Sequence, residues 1–314
     1  MNPKWVLWIA GVSAVLYIGV AFWVINNPNF DIPPLSGSAL ALVVLAGFVQ
    51  ITAKWFFGLL FRESVRKAGG EIRAWLAFKA ALVGAGVARM IPAGGAITPV
   101  AMSWTVREEA DGSAGAGIRT VLLNYSGLLI MTGVGLLFAR PEESAQIASI
   151  SLFVLAPFVL VAGLAFMFGS GKLGTLVRFL PRFAREKLEQ TTIDHLPGWE
   201  SQIYIWTRLV LEAGALWIVL FAFGIEVNAF QAMAAFGVSQ LAGGLPGTPG
   251  GMGVVEGTLT FVLVVAYGFP VSAIIAPVLV FRVVSFWLPA VLGFLAGGST
   301  FLRSEAAKKA EAAG

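Results

Sequence analysis

Ten apolar stretches follow one another along the chain, at roughly 5–25, 39–61, 80–91, 96–106, 118–138, 147–169, 205–223, 229–242, 253–267 and 271–298. Six have the length of about 20 residues that a helix needs to cross a bilayer. Four do not. Residues 80–91 and 96–106 flank Pro92-Ala93-Gly94-Gly95, and 229–242 and 253–267 flank the glycine- and proline-rich run LAGGLPGTPGGMGVVEG, residues 241 to 257. At 1.5 Å rise per residue, a dozen residues reach only about halfway through a hydrocarbon core of about 30 Å. Each short pair therefore predicts a re-entrant hairpin, two half-helices that meet near mid-depth. Irregular backbone at that depth is tolerated only inside protein or against a wet cavity, so the two breaks point to a binding site. The first run, Trp5 to Ile25, is too long for a signal-peptide core and lacks a small-residue cleavage site, so it reads as a retained helix.

The basic residues set the orientation. With the N-terminus in the cytoplasm, the inner connecting segments hold Lys4; Arg62, Arg66, Lys67 and Arg73; Arg107 and Arg119; Lys172, Arg178, Arg182, Arg185 and Lys187; and Arg303, Lys308 and Lys309. The outer segments, 26–38, 139–146, 224–228 and 268–270, hold Arg140 alone. That is a strong positive-inside bias, and counting either hairpin as two crossings would scramble it. Both termini are expected in the cytoplasm.

The pattern then repeats. Two spans, a hairpin and a span make up 1–138, and the same series recurs in 147–298. Each half has an odd number of crossings, so the second runs upside down relative to the first. Pro92-Ala93-Gly94-Gly95 matches Pro249-Gly250-Gly251, and Asn124 and Arg282 follow at similar offsets. Inverted repeats whose broken helices meet at the midplane are a transporter architecture. Residues 170–204 form the connector, whose LGTLVRFLPRFAREKL run suggests a basic amphipathic helix on the anionic inner leaflet.

Composition narrows the chemistry. The 314 residues are 58% hydrophobic and 12% charged, with mean hydropathy +0.84. That balance is far from a soluble domain and leaves no room for a separate catalytic one. No cysteine means no disulfide, thiolate metal site or cysteine nucleophile, and His195 stands alone. No metal, nucleotide or nucleic-acid motif is present: the glycine-rich run lacks the Gly-Lys-Ser/Thr ending of a phosphate loop. A membrane enzyme would need paired acids near the surface, and the cluster Glu108, Glu109 and Asp111 is explained by helix-end charges.

Arg89, Glu256 and Arg282 fall near the hairpin tips or span centres. Each needs a partner or a wet cavity, because a charge at the bilayer centre costs roughly 2.5 to 3.5 kcal/mol even on the lenient scale. A salt bridge from Glu256 to Arg282 or Arg89 would still leave one cation unmatched. Half-helix N-termini near Ala96 and Gly253 would add N–H donors and partial positive charge. The expectation is a midplane pocket for an anion, most simply a phosphate. Lys54, Lys79 and Arg208 read as residues that snorkel to the inner face, with Arg208 and Glu212 paired four apart on one helix. Gln50, Asn124 and Gln240 read first as helix–helix hydrogen-bond partners. Thr98, Thr248 and Ser239 could line the pocket or bond their own backbone.

The run GGLPGTPGGMGVVEG, with FRVVSFWLPAVLGFL about thirty residues on, resembles the flippase-like transmembrane domain of lysylphosphatidylglycerol synthases and its stand-alone relatives. ARMIPAGGAITPVAMSWTVREE resembles the other Pro/Gly-rich element of that family. The resemblance covers nearly the whole chain and implies movement of an aminoacylated phospholipid or related polar lipid between leaflets. By motif position it carries over Pro249, Gly250, Gly251, Gly253, Glu256 and Arg282. The family tends to an arginine where this chain has Asn124, and to polar residues where it has Ala96 and Ile97. The synthase's soluble aminoacyltransferase domain has no counterpart here.

The reading is an all-α integral membrane protein, a single domain of about six full transmembrane helices plus two re-entrant hairpins in an inverted repeat. Its expected function is a flippase for an anionic polar lipid, an aminoacyl-phospholipid, glycolipid or polyprenyl-phosphate-linked sugar. The alternatives are a transporter or channel for a small soluble anion and a membrane-embedded transferase. Substrate-binding candidates are Arg89, Pro92, Gly94, Gly95, Asn124, Gln240, Pro249, Gly250, Gly251, Gly253, Glu256 and Arg282. No catalytic residue, metal or cofactor is expected. The partners expected are anionic membrane lipids and no nucleic acid; a homodimer and an enzyme of lipid or cell-envelope synthesis are further candidates. The location expected is the cytoplasmic membrane.

Overall fold

The computed structural model describes residues 36–91, 94–110, 113–139, 146–168, 197–244, 248–298, 300 and 301, with scattered positions between Trp8 and Asn27; for 146–150, 168 and 249 it describes the backbone alone. Pro92, Pro246, Arg140 and most of the connector and of the first and last segments lie outside the described residues. Every described element is helical.

Helix α1, Gly37–Lys67, starts where the Ser36 hydroxyl accepts the Ala39 N–H at 3.2 Å, and ends on Arg66 and Lys67, whose charges suit the negative end of the helix dipole. Helix α2, Ala74–Met90, is followed by a 3-10 turn at Gly94–Ala96 and by the short α3, Thr98–Thr105, with Pro99 in its first turn. Helices α4, Ala114–Phe138, and α5, Gln146–Phe168, come next. Helix α6 is Trp199–Ala222. Helix α7, Ala229–Gly243, opens on a reciprocal cap in which Asn228 and Gln231 each accept the other's backbone N–H, at 2.9 and 3.0 Å. A 3-10 turn at Pro249–Gly251 leads into α8, Val254–Ala266, which turns π-helical from Val262. Helix α9, Val271–Gly298, carries two π-helical stretches, Val283–Trp287 and Phe294–Gly298.

Among the described residues, four helices are long and apolar enough to cross a membrane: α1, α4, α6 and α9. Their large outward side chains confirm the environment. Phe48 is 69% exposed and Phe221 57%, and α5 leaves Phe158 69% exposed. A surface of that kind is unstable in water and ordinary in lipid, so this is a membrane-embedded protein.

The helices run longer than the apolar runs suggested. Helix α1 continues to Lys67, α2 begins at Ala74, and α6 begins at Trp199. Polar residues in their extra turns pair with one another, so the helix outlasts its hydrophobic stretch.

Helix α2 packs on α3, and α7 packs on α8, giving two helix–turn–helix pairs whose 3-10 turns touch. Helix α1 lies along α6, α4 packs on α5 and α7, and α9 packs on α2. Small residues allow the close crossings. A Cβ at Gly86 would come within 2.9 Å of the Gly293 carbonyl carbon, so α2 and α9 meet backbone to backbone.

At the end of α1 a buried network ties the bundle together. Arg119 of α4 donates to Glu63 at 2.8 Å and to the Ser64 hydroxyl at 2.9 Å, and Lys67 lies 3.0 Å from the other Glu63 oxygen.

Candidate functional site

Where the two 3-10 turns meet, the helices leave a cavity of about 200 Å³. Its walls come from every helix but α5 and from both turns. The second turn is built on glycine for a steric reason. Gly250, Gly251 and Gly253 have φ of 56°, 71° and 80°, in the left-handed region that side chains disfavour. A Cβ on Gly250 would also stand 3.0 Å from the Arg89 Cα.

Arg282, on α9, is 3% exposed. Its Nε donates to Glu256 at 2.7 Å, and its guanidinium lies 4.6 Å from the centre of the Phe286 ring. The second Glu256 oxygen accepts the Gly253 N–H at 2.8 Å. Glu256 thus closes the first turn of α8 and ties it to α9, and it stands behind the cavity wall. Arg89, at the end of α2, donates to the carbonyls of Ala85 and Ser285 at 2.8 and 2.9 Å and faces the same Phe286 ring at 5.7 Å. Among the described residues it has no carboxylate partner.

A second charged group faces the same space. Lys54 of α1 and Arg208 of α6 are 5% and 9% exposed, and both pair with Glu212 of α6. Both Arg208–Glu212 contacts are 3.2 Å, and the Arg208 guanidinium lies 4.3 Å from the centre of the Phe57 ring.

These positions correct the snorkelling expectation for Lys54 and Arg208. Both turn inward, buried against Glu212, instead of reaching out to the interface. Lys79 is exposed, as that reading requires. Gln50 faces the cavity, and among the described residues its Nε2 has no partner.

Of the sequence candidates, Arg89, Gly94, Gly95, Asn124, Gln240, Gly250, Gly251 and Arg282 line the cavity. Gly253 and Glu256 do not; they shape and brace the turn. Pro92 and the side chain of Pro249 lie outside what is described. Thr98 and Thr248 line the cavity, whereas the Ser239 hydroxyl donates to the Phe236 carbonyl at 2.8 Å within its own helix.

The lining holds four cations, Lys54, Arg89, Arg208 and Arg282, against Glu212, with Glu256 neutralising from behind. Among the described residues that leaves two positive charges in excess. Five buried polar atoms in the lining have no partner among the described residues: Gln50 Nε2, Arg208 Nε and Nη1, Thr248 Oγ1 and Ser285 Oγ. Buried donors are normally satisfied, and an orphaned one costs about 1–3 kcal/mol. Such a set, gathered in one cationic chamber, can bind an anion.

The fold and chamber define a helical membrane protein with a polar, positively charged interior site. Residues 6–293 match the family described as the lysylphosphatidylglycerol synthase TM region, and the chain belongs to that family. It is also similar to proteins named UPF0104 membrane protein. One, from Methanothermobacter thermautotrophicus, is 26% identical over 207 residues, which are 58% of this chain and 60% of that one. Another, from Methanocaldococcus jannaschii, is 29% identical over 102 residues, 32% of this chain and 30% of its relative. The chain thus matches less than two thirds of the length of these relatives.

Proposed function

We propose that the chain is a lipid flippase, moving a lipid with an anionic headgroup between leaflets through the central chamber while the tails stay in the bilayer. The observation that carries this reading is the buried chamber with its excess of two cations and its orphaned donors. A headgroup entering it would exchange hydration for guanidinium and hydroxyl donors, while its tails would lie among outward side chains such as Phe221.

In this reading the two helix–turn–helix pairs are re-entrant hairpins, entering from opposite faces, and the halves form an inverted repeat. The packing supports it. Helix α2 of the first pair packs on α9, the last span of the second half, and α7 of the second pair packs on α4, the last span of the first. Helices α1 and α6, which correspond between the halves, pack on one another. Both termini lie in the cytoplasm and the protein sits in the cell membrane, on the charge asymmetry of the connecting segments. It works as a transporter rather than an enzyme. A homodimer, and an enzyme of lipid or envelope synthesis that supplies the substrate, are the partners this role calls for.

The volume of about 200 Å³ favours one second reading, carriage of a small soluble anion through the same chamber. Reconstitution decides between them. Vesicles holding headgroup-labelled phospholipids and polyprenyl-phosphate sugars should show leaflet exchange that Arg89→Ala and Arg282→Ala abolish. Uptake of a soluble anion without lipid exchange would replace the first reading by the second, and normal exchange by both correctly inserted variants would remove the chamber from it.

A further inference from the structure

The chamber carries its charge in two matching groups. Arg89 and Arg282 with Glu256 make one, and Lys54 and Arg208 with Glu212 make the other. Each has two cations and one carboxylate, so each is positive by one. A proton passing from Lys54 to Glu212 would leave that total unchanged. The orphaned donors fall in both: Ser285 is on the α9 side, and Gln50 and Arg208 are on the α1 and α6 side. Arg208 is the most underused of these residues. Its Nη2 serves Glu212, while Nε and Nη1 are buried without partners.

A phosphodiester brings one negative charge and two free oxygens, which balances one group and leaves the other wanting. A phosphomonoester brings up to two charges and three oxygens, each a strong acceptor. Size points the same way. The chamber, at about 200 Å³, is smaller than the roughly 300 Å³ at which drug-sized sites begin, which suits a compact anionic group. A phosphate group is small enough to enter it.

We infer that the chamber selects a doubly charged phosphomonoester, held between the Arg89–Arg282 and Lys54–Arg208 groups. The inference rests on the anionic-headgroup reading above and narrows it. Glu212 then holds Lys54 and Arg208 in place in the empty chamber, and the ligand competes with it for them.

The test uses the full-length chain in detergent, with dioctanoyl phosphatidate and dioctanoyl phosphatidylglycerol titrated by calorimetry at pH 8 and pH 5. The second phosphate ionisation lies near pH 6, so phosphatidate should bind at least tenfold more tightly than phosphatidylglycerol at pH 8 and lose that advantage at pH 5. Arg208→Gln should bring the two lipids to equal, weakened affinity at pH 8. Competition by inorganic phosphate at pH 8 identifies the source: displacement of phosphatidate at similar concentration means the free ion is accepted, and failure to displace means the lipid is required. Equal affinity of the wild-type chain for the two lipids at pH 8 overturns the phosphomonoester assignment and leaves the anionic-headgroup reading standing. Failure of both lipids to bind overturns both. The lipid and pH comparisons need no variant, so misfolding of Arg208→Gln would not hide the answer.

Discussion

Arg89 and Arg282 reach the same Phe286 ring, yet they are held in different ways. Arg282 is bonded to Glu256, whose other oxygen is fixed by the Gly253 N–H. Among the described residues Arg89 is bonded to two carbonyls, which position a guanidinium without neutralising it. The two should therefore respond differently to substitution. Glu256→Ala leaves Arg282 buried and unpaired and should cost about 3–5 kcal/mol, read as a large fall in Tm in detergent. Glu256→Met with Arg282→Met should recover much of that stability while transport stays lost, because replacing both members of a buried pair by apolar groups is often neutral. A double variant no more stable than Glu256→Ala would mean that the cap, not the ion pair, holds the turn. For Arg89→Lys, a single ammonium cannot reproduce the two-armed contact to Ala85 and Ser285. Lipid exchange should fall at least tenfold with Tm nearly unchanged, and unaltered exchange would make the Arg89 fork irrelevant.

At the level of elements, the two turns depend on glycine and the helix crossings depend on small residues. Gly250→Ala adds both a strained backbone and a Cβ 3.0 Å from the Arg89 Cα, so it should disturb the chamber as well as the turn. Gly293→Val, at the α2–α9 crossing, should push the helices apart and lower Tm. A variant as stable as the parent would show that this crossing can relax. Much of this was readable in advance. The breaks at Gly94-Gly95 and Pro249–Gly251 stood out because the flanking apolar runs are too short to span, and Arg89 and Arg282 stood out as charges in apolar surroundings. The second charged group was not readable. Lys54 and Glu212 are 158 positions apart, and no periodicity reveals a pairing across that distance. Hydrophobic runs also mark where apolar residues stop rather than where a helix does, so α1 and α6 were read as too short. Glu63 with Arg119 and Lys67 pays for the extra turns of α1, and that compensation is tertiary. Glu256 could be matched to Arg282 from charge alone; its grip on Gly253 needed the turn's geometry.

For the molecule as a whole, the proposed function, transport between two opposed hairpins, requires their tips to move relative to one another, so that the chamber faces each leaflet in turn. The tips can be linked at a defined place. A Cβ at Gly95 would lie 3.4 Å from the Tyr125 hydroxyl and one at Gly244 3.1 Å from it, so the two positions flank one side chain, and both are exposed toward the chamber. The chain contains no cysteine, so Gly95→Cys with Gly244→Cys gives a clean pair in an otherwise unreactive background. Treating the reconstituted double variant with a short, reducible bis-methanethiosulfonate should stop lipid exchange, and reduction should restore it. Each single variant, treated in the same way, reports the effect of the reagent's bulk alone. Exchange that continues at the parent rate with the tips linked would show that they form a rigid wall, and the headgroup's path would then have to open elsewhere, between α1 and α6 or along α9.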